Sequence, residues 1–276
     1  MKEAVAQDWL EIVMGELEDV APNDLADIKR KSLREQEKEN VTFDSWSNAM
    51  ILYALGNIDE EESYWTKVAA IFYKLTLYRK VSNYRNMDET THPITIYSGF
   101  LTALKRGTED GLYDPDILAS YTEEELELAV TFIKSGRDNL FNYIGLRTLA
   151  DRYLTREHDL SIIELPQERF LVIALKLMSK ESPTKRMQLV SEAYWALSTL
   201  RMTVATPTFA NAGKTHGQLS SCFIDTVEDS LESIYNNNSD MANVSKNGGG
   251  VGVYMGKIRA RNAPIKGFKG ASSGVN

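Results

Sequence analysis

Cys222 is the one thiol in a chain of 276 residues. It lies in the run Gln218-Leu219-Ser220-Ser221-Cys222-Phe223, among hydroxyl side chains. A thiol can act as a nucleophile or as half of a redox disulfide, provided a nearby cation or helix N-terminus favours the thiolate. Lys214 and His216 are the nearest cationic candidates along the chain. The plainer reading is a small buried apolar residue, the commonest fate of a free cysteine. Downstream, Gly248-Gly249-Gly250-Val251-Gly252 would let backbone N–H groups come close to a ligand. It is not a P-loop, because no Gly-Lys-Ser/Thr follows at the required spacing. It also misses the dinucleotide fingerprint, since Met255 stands where the third glycine belongs. The order of elements is inverted as well: helix, glycines and strand replace strand, glycines and helix. The run is equally well read as a helix stop.

Asp229-Ser230-Leu231 reads first as the N-cap of a following helix, and a helix N-terminus also receives hydroxyls and anions. Lys257, Arg259, Arg261, Lys266 and Lys269 form a short basic cluster in an acidic chain. It is either ordinary surface charge or a phosphate site on a glycine-rich loop. Thr206-Pro207-Thr208 and Asn211-Ala212-Gly213 read as strand passing into loop. A thiol, hydroxyls, glycines and basic groups close in sequence suit a phosphorylated, hydroxyl-rich ligand that meets redox chemistry.

The elements that must carry these residues change character near residue 200. Before it the chain reads as helical, with apolar residues at helical spacing around 3–19, 44–57 and 60–80. Thr122 and Glu125 form a capping-box pattern that starts a helix near 123. Ser182-Pro183 gives an N-cap followed by Pro at the first helical position, and Met187, Val190, Tyr194 and Leu197 then share one face. The charged run from Lys29 to Asn40 reads as a solvated helix face or loop. After residue 200, Met202–Ala205, Ser221–Ile224 and Val251–Tyr254 read as strands. A helix is expected from Leu231 to Lys246, stopped by Asn247-Gly248. The remainder reads as a basic, glycine-rich loop.

Composition excludes several classes. A formal net charge of −8 is poorly suited to non-specific binding of nucleic acid. One cysteine gives no disulfide framework and fits a reducing cytoplasm. His92, His158 and His216 show no metal-ligand spacing with one another or with Cys222, so no metal site is expected. No apolar run approaches the roughly 18 residues of a membrane span, and Met1-Lys2-Glu3 does not open a signal peptide. The expectation is a soluble, cytoplasmic protein with no membrane or nucleic-acid partner.

Several motifs together resemble the start of the barrel in ribonucleotide reductase large subunits. They are the string Ala205 to Gly213 (ATPTFANAG), Gln218 to Phe223 (QLSSCF) and Glu228-Asp229-Ser230-Leu231. Gly249-Gly250-Val251-Gly252, Ile258-Arg259-Ala260 and Ala263-Pro264-Ile265-Lys266-Gly267 follow at the family's spacing. More loosely, Asp114 to Asn142 resembles the helical domain that precedes the barrel in class I large subunits. Glu60 to Lys80 resembles the end of the regulatory ATP cone and the helices after it, without the signature that opens a complete cone.

The resemblance implies a mostly α N-terminal region followed by the opening strands of a ten-stranded α/β barrel. The implied division is 1–82 as a helical region and degenerate ATP-cone remnant, 83–200 as a helical domain, and 201–276 as the start of the barrel. It implies that Cys222 is one of two cysteines that reduce the ribose 2′ carbon and end as a disulfide. Thr206, Ser221, Cys222 and Gly250 would line the substrate site. Asp229, Ser230, Leu231, Arg259, Ile265 and Lys266 would bind the dNTP or ATP effector near a dimer interface. No cofactor is expected in this chain. The radical would come from a small subunit with a di-metal centre, and a thioredoxin- or glutaredoxin-like protein would reset the disulfide. The radical cysteine, the second redox cysteine and the substrate Glu and Asn would lie on the C-terminal remainder of the large subunit. The isolated chain is therefore expected to be inactive, with the complete large subunit working as a homodimer. The alternatives are an adenosylcobalamin-dependent class II reductase and a non-catalytic nucleotide-binding module.

Overall fold

The computed structural model describes residues 13–17, 22–59, 64–87, 93–267 and 269–275. Residues 13–15 are helical, while 3–12 and 18–19 of the first expected helix lie outside the described residues, as does His92. The chain divides into two compact units, one of residues 1–203 with 213–215, the other of 204–212 with 216–276.

The first unit is a helical bundle. Its elements are α1 (Pro22–Gln36), α2 (Phe43–Gly56), α3 (Trp65–Tyr84), α4 (Pro93–Ser98), α5 (Phe100–Glu109), α6 (Asp116–Ser120) and α7 (Glu123–Thr131). A 3-10 turn (Ser135–Leu140), α8 (Tyr143–Arg152), α9 (Pro166–Met178) and α10 (Pro183–Ser198) complete it. Residues 60–63 of the expected 60–80 helix are outside the described residues, and α3 runs unbroken across residues 82 and 83.

Several helix starts follow from local side-chain chemistry. Thr122 accepts from the Glu125 N–H at 3.3 Å while the Glu125 carboxylate accepts from the Thr122 N–H at 2.9 Å, the reciprocal cap expected there. Thr42 and Ser45 make the same exchange at the start of α2. Ser182 departs from expectation: Pro183 does open α10, but the Ser182 side chain makes no cap bond and pairs with the Thr184 hydroxyl at 3.3 Å. The Lys29–Asn40 run is largely solvated, although Ser32 and Glu35 turn inward.

Packing then closes the bundle. Helix α3 lies against α2 and α8, and α9 against α10. Trp46 is fully buried, meets Phe72 edge-on at 5.6 Å, and donates its indole N–H to Ser32 Oγ at 3.1 Å. That donation satisfies the polar end of a large buried side chain. Deeper in, Asp138 accepts hydroxyl protons from Tyr78 at 2.6 Å and Tyr97 at 2.5 Å, and an amide proton from Gln167 at 2.8 Å. Tyr194 donates to Gln167 Oε1 at 2.8 Å and extends the network. Burial raises the Asp138 carboxyl above its ordinary value, against the three donors that favour its charge. Burial, then the neighbouring carboxylate, holds the Tyr78 and Tyr97 hydroxyls well above theirs. Nearby, Arg85 pairs with Glu168 at 2.8 Å, both almost fully buried.

The second unit holds α11 (Thr206–Asn211), β1 (Cys222–Thr226), α12 (Leu231–Lys246) and β2 (Gly250–Tyr254). The strand expected over Met202–Ala205 is not formed: those residues are connecting chain, and a helix starts at Thr206. Pro207 explains the difference, since it lacks a ladder donor and its fixed φ suits the first turn of a helix. The reading of Thr206–Gly213 as strand into loop fails for the same reason. Helix α12 has the expected bounds and caps: Ser230 Oγ accepts from the Ser233 N–H at 3.1 Å, and Gly248 at φ +80° ends the helix. The two strands are parallel and joined through α12, a βαβ unit. Together the units give a mostly helical chain whose second part begins a barrel-type α/β arrangement.

Candidate active and effector site

Alternation along β1 separates its side chains into two sets. Cys222, Ile224 and Thr226 are exposed, while Phe223 and Asp225 are half-buried. On β2, Gly250, Gly252 and Tyr254 are exposed and Val251 and Val253 half-buried. Helix α12 covers the half-buried set: a Cβ on Gly249 would stand 2.6 Å from Val244 of α12 and 2.7 Å from Phe223 of β1. A larger residue there would have to displace the Val244 or Phe223 side chain. The thiol therefore lies on the face turned away from α12.

Register brings the expected residues together on that face. Cys222 pairs with Gly250 and Ile224 with Gly252. The Gly250 N–H donates to the Ser221 carbonyl at 2.9 Å, and the Ser221 hydroxyl approaches Cys222 Sγ at 3.5 Å. With no side chain at 250 or 252, the floor beside the thiol is bare backbone. A flat, hydroxyl-bearing ligand can approach such a floor closely. Cys222 is exposed, which sets aside the reading of a small buried core residue. In the sequence, Gly252 falls in the glycine run and Ile224 in an expected strand, neither with a site role; the period-2 alternation of the two strands is the signal that places them beside the thiol.

Thr206 begins α11 and is exposed. Its helix is tied to the segment before the thiol by two bonds: Thr208 Oγ1 donates to the Leu219 carbonyl at 2.7 Å, and Asn211 Nδ2 to the Gln218 carbonyl at 2.9 Å. Lys214, named above as a cation near the thiol in sequence, belongs to the helical unit. There its ammonium donates to the Tyr153 carbonyl at 2.8 Å. Burial lowers its pKa to about 8.

A second group gathers past the carboxyl ends of the two strands, where α/β sheets bind ligands. Arg259 Nε donates to Asp229 Oδ2 at 2.7 Å, and Lys257 pairs with Glu228. Two members of the basic cluster are thus ion-paired. Ser230 caps α12, and Leu231 is 71 % exposed beside it. Ile265 and Lys266 ride separately on a closed loop. The Asn262 N–H reaches the Ser272 carbonyl at 2.8 Å, the Ser272 N–H reaches the Ala263 carbonyl at 2.9 Å, and Pro264 bridges Ala271. Strand β1 spans four residue steps from Cys222 to Thr226, about 13 Å, and Asp229 lies beyond its carboxyl end.

A cavity of about 330 Å³ in the helical unit, lined in part by Tyr64, Lys67, Lys74 and Asp138, holds none of the expected site residues. Among the described residues, no group of three or more His, Cys, Asp or Glu could hold a metal ion, and no helix is long and apolar enough to cross a membrane.

Comparison with known proteins bears on both units. The family model for the ribonucleotide reductase all-alpha domain matches residues 139–217, and that for the ribonucleotide reductase barrel domain matches 220–276. The ribonucleoside-diphosphate reductase subunit alpha of Treponema pallidum is 48% identical over 167 residues, covering 60% of this chain and 20% of that protein. The subunit of the same name from Helicobacter pylori strain 26695 is 35% identical over 246 residues, 88% of this chain and 29% of its own length. The large subunit from Trypanosoma brucei brucei is 38% identical over 144 residues, 50% of this chain and 17% of that protein. The chain thus spans less than a third of each of these relatives.

Proposed function

The chain belongs to the ribonucleotide reductase large-subunit family, and from that premise we propose that its second unit supplies one redox thiol and the effector site of a class I ribonucleoside-diphosphate reductase. The observation that carries this reading is the pairing of Cys222 with Gly250 on adjacent parallel strands, on the face free of α12. The glycine floor leaves room for a ribose against the thiol. Ser221 and Thr206 offer hydroxyls for the substrate's phosphate or ribose oxygens. Reduction at C2′ expels water and takes two electrons from a pair of thiols, which close to a disulfide. The 276 residues hold one cysteine, so the second thiol comes from outside them. The same holds for the thiyl radical that takes the 3′ hydrogen, which is proposed to originate at a di-metal small subunit. A thioredoxin- or glutaredoxin-like protein then returns the disulfide to thiols.

At the other end of the strands, Ser230 and the first N–H groups of α12 face an incoming nucleotide hydroxyl or phosphate. Asp229 orients Arg259 through Nε, and the remaining guanidinium nitrogens are the proposed phosphate donors. Ile265 and Lys266 close over the nucleotide from the 262–272 loop, beside a second copy of the subunit. Residues 1–82 are proposed as a degenerate ATP-cone remnant before a helical domain of 83–200 and the barrel start of 201–276.

Calorimetric titration of the purified chain with dTTP tests the effector half. Micromolar binding that weakens about tenfold in Arg259→Ala, at a cost of less than about 1 kcal/mol in stability for an exposed ion pair, supports it. Undiminished binding in that variant refutes the assignment of Arg259. Turnover by the chain in the absence of any other thiol-bearing polypeptide would refute the catalytic half.

A further inference from the structure

Helix α12 draws Ile234, Asn237 and Val244 away from solvent at helical spacing. Two of the three are apolar, yet the most buried residue of the whole helix is the polar one, Asn237, at 5 % exposure. Its sequence neighbours Asn236 and Asn238 are both exposed. The Asn237 amide donates to Asp225 Oδ2 on β1, while Asp225 Oδ1 accepts from the Thr226 N–H at 2.7 Å. We infer that Asn237 is a positioning residue: its bond to Asp225 sets the axial register of α12 on β1, and thereby the placement of the Asp229–Ser230 end relative to the Cys222–Gly250 end.

An apolar stripe on a two-stranded sheet specifies register weakly, because greasy contacts tolerate sliding. One buried amide facing a half-buried carboxylate tolerates it less. A slide leaves the Asn237 amide covered without its partner, at a desolvation cost. A single polar position in an apolar seam fixes register in this way in coiled coils. The consequence reaches both ends of the helix. Asn237 lies six residues, or about 9 Å, from Leu231 at the effector end. Val244, seven residues further on, packs where Gly249 leads into β2. A slip of one turn, about 5.4 Å, would displace the Ser230 cap and the entry of Gly250 beside Ser221 together.

The regulatory part of this inference rests on the effector reading above, so the test separates the two. Three variants of the full chain are compared: Asn237→Leu with Asp225→Leu, the exchange Asn237→Asp with Asp225→Asn, and Asn238→Leu as the exposed control. Amide hydrogen exchange is read by NMR at Ser233, whose N–H bonds Ser230 Oγ, and at Gly250, whose N–H bonds the Ser221 carbonyl. The apolar pair is expected to melt at or above the wild-type temperature while exchange at both amides rises about tenfold. The exchange pair restores both amides to within about twofold, and Asn238→Leu changes neither. An apolar pair with wild-type exchange at Ser233 and Gly250 overturns the inference. If that pair fails to fold, single Asn237→Asp against the exchange pair decides: no rescue overturns it. Alkylation of Cys222 by iodoacetamide, with and without dTTP, adds the readout that a merely structural role would not move. Wild type changes rate on dTTP addition, and the apolar pair loses that response. Absence of dTTP binding to wild type removes the effector reading and leaves the register result to stand or fall on exchange.

Discussion

The two units bury their apolar residues very differently. In the helical unit, residues lost from solvent run from Val13 to Leu197 and include Trp46, Phe72, Leu75, Leu171 and Tyr194. In the second unit only Pro207, Ala212 and Val227 among the described apolar residues are buried, while Ile224, Leu231, Tyr235, Tyr254 and Val275 are more than half exposed. One unit is a packed bundle with its own core. The other is one crossover of a sheet covered by a helix on one face. Their polar groups follow the same division. The bundle's Asp138, Glu168 and Arg85 are sealed inside and partnered, whereas the second unit keeps its thiol, glycines and ion pairs at the surface. The buried core is concentrated in the first unit and the candidate site in the second.

The largest effect that would break this contrast is a core truncation. Phe72→Ala removes a fully buried ring and is expected to destabilise the helical unit by about 3–5 kcal/mol, read by urea unfolding of the near-ultraviolet circular dichroism signal. A loss below about 1 kcal/mol would mean that the bundle is looser than its burial implies. Next in size is a pH effect at Lys214. Its folded pKa is lowered to about 8, first by burial and then by Arg169 and Arg156, with Glu164 opposing. A free lysine titrates near 10.4. The folded state therefore sheds the proton first, so this group's penalty is complete below about pH 8 and fades as pH rises from about 8 to 10. Lys214→Met is expected to flatten stability over that window by on the order of 1–2 kcal/mol relative to wild type, measured by unfolding at fixed pH values. Parallel pH curves for the two proteins would defeat the assignment. Smallest is Ile224→Ala: at 88 % exposure it should cost less than about 0.5 kcal/mol, in sharp contrast to Phe72→Ala. A cost of 2 kcal/mol or more would show that the exposed face of β1 is packed in solution.

Many helix ends in both units were legible because their signals are local. Thr122 with Glu125, Pro183, and Ser230 with Gly248 each mark an end through chemistry within a few residues. Met202–Ala205 was misread because apolar, β-branched content suggested a strand, while Pro207 committed the following residues to a helix. The polar core around Asp138 was not legible, since it joins Tyr78, Tyr97, Gln167 and Tyr194 from distant helices. In the candidate site, the motif residues were legible as types but their arrangement was not. Which glycine stands beside Cys222 depends on parallel register across a helical crossover, and no short-range rule sets that. Asn237 sits in a run of three asparagines, and only packing distinguishes it from its neighbours.

The parallel pairing also has a meaning for synthesis on the ribosome. Cys222 and its partner Gly250 are 28 positions apart. At about 5–20 residues per second, β1 is made roughly 1–6 s before the strand that completes it exists. Throughout that interval Phe223 and Ile224 belong to an unpaired edge, the kind of segment that recruits strands from other nascent chains. Early formation of α12, which needs only local contacts, would shield the Phe223 side of that edge while translation catches up.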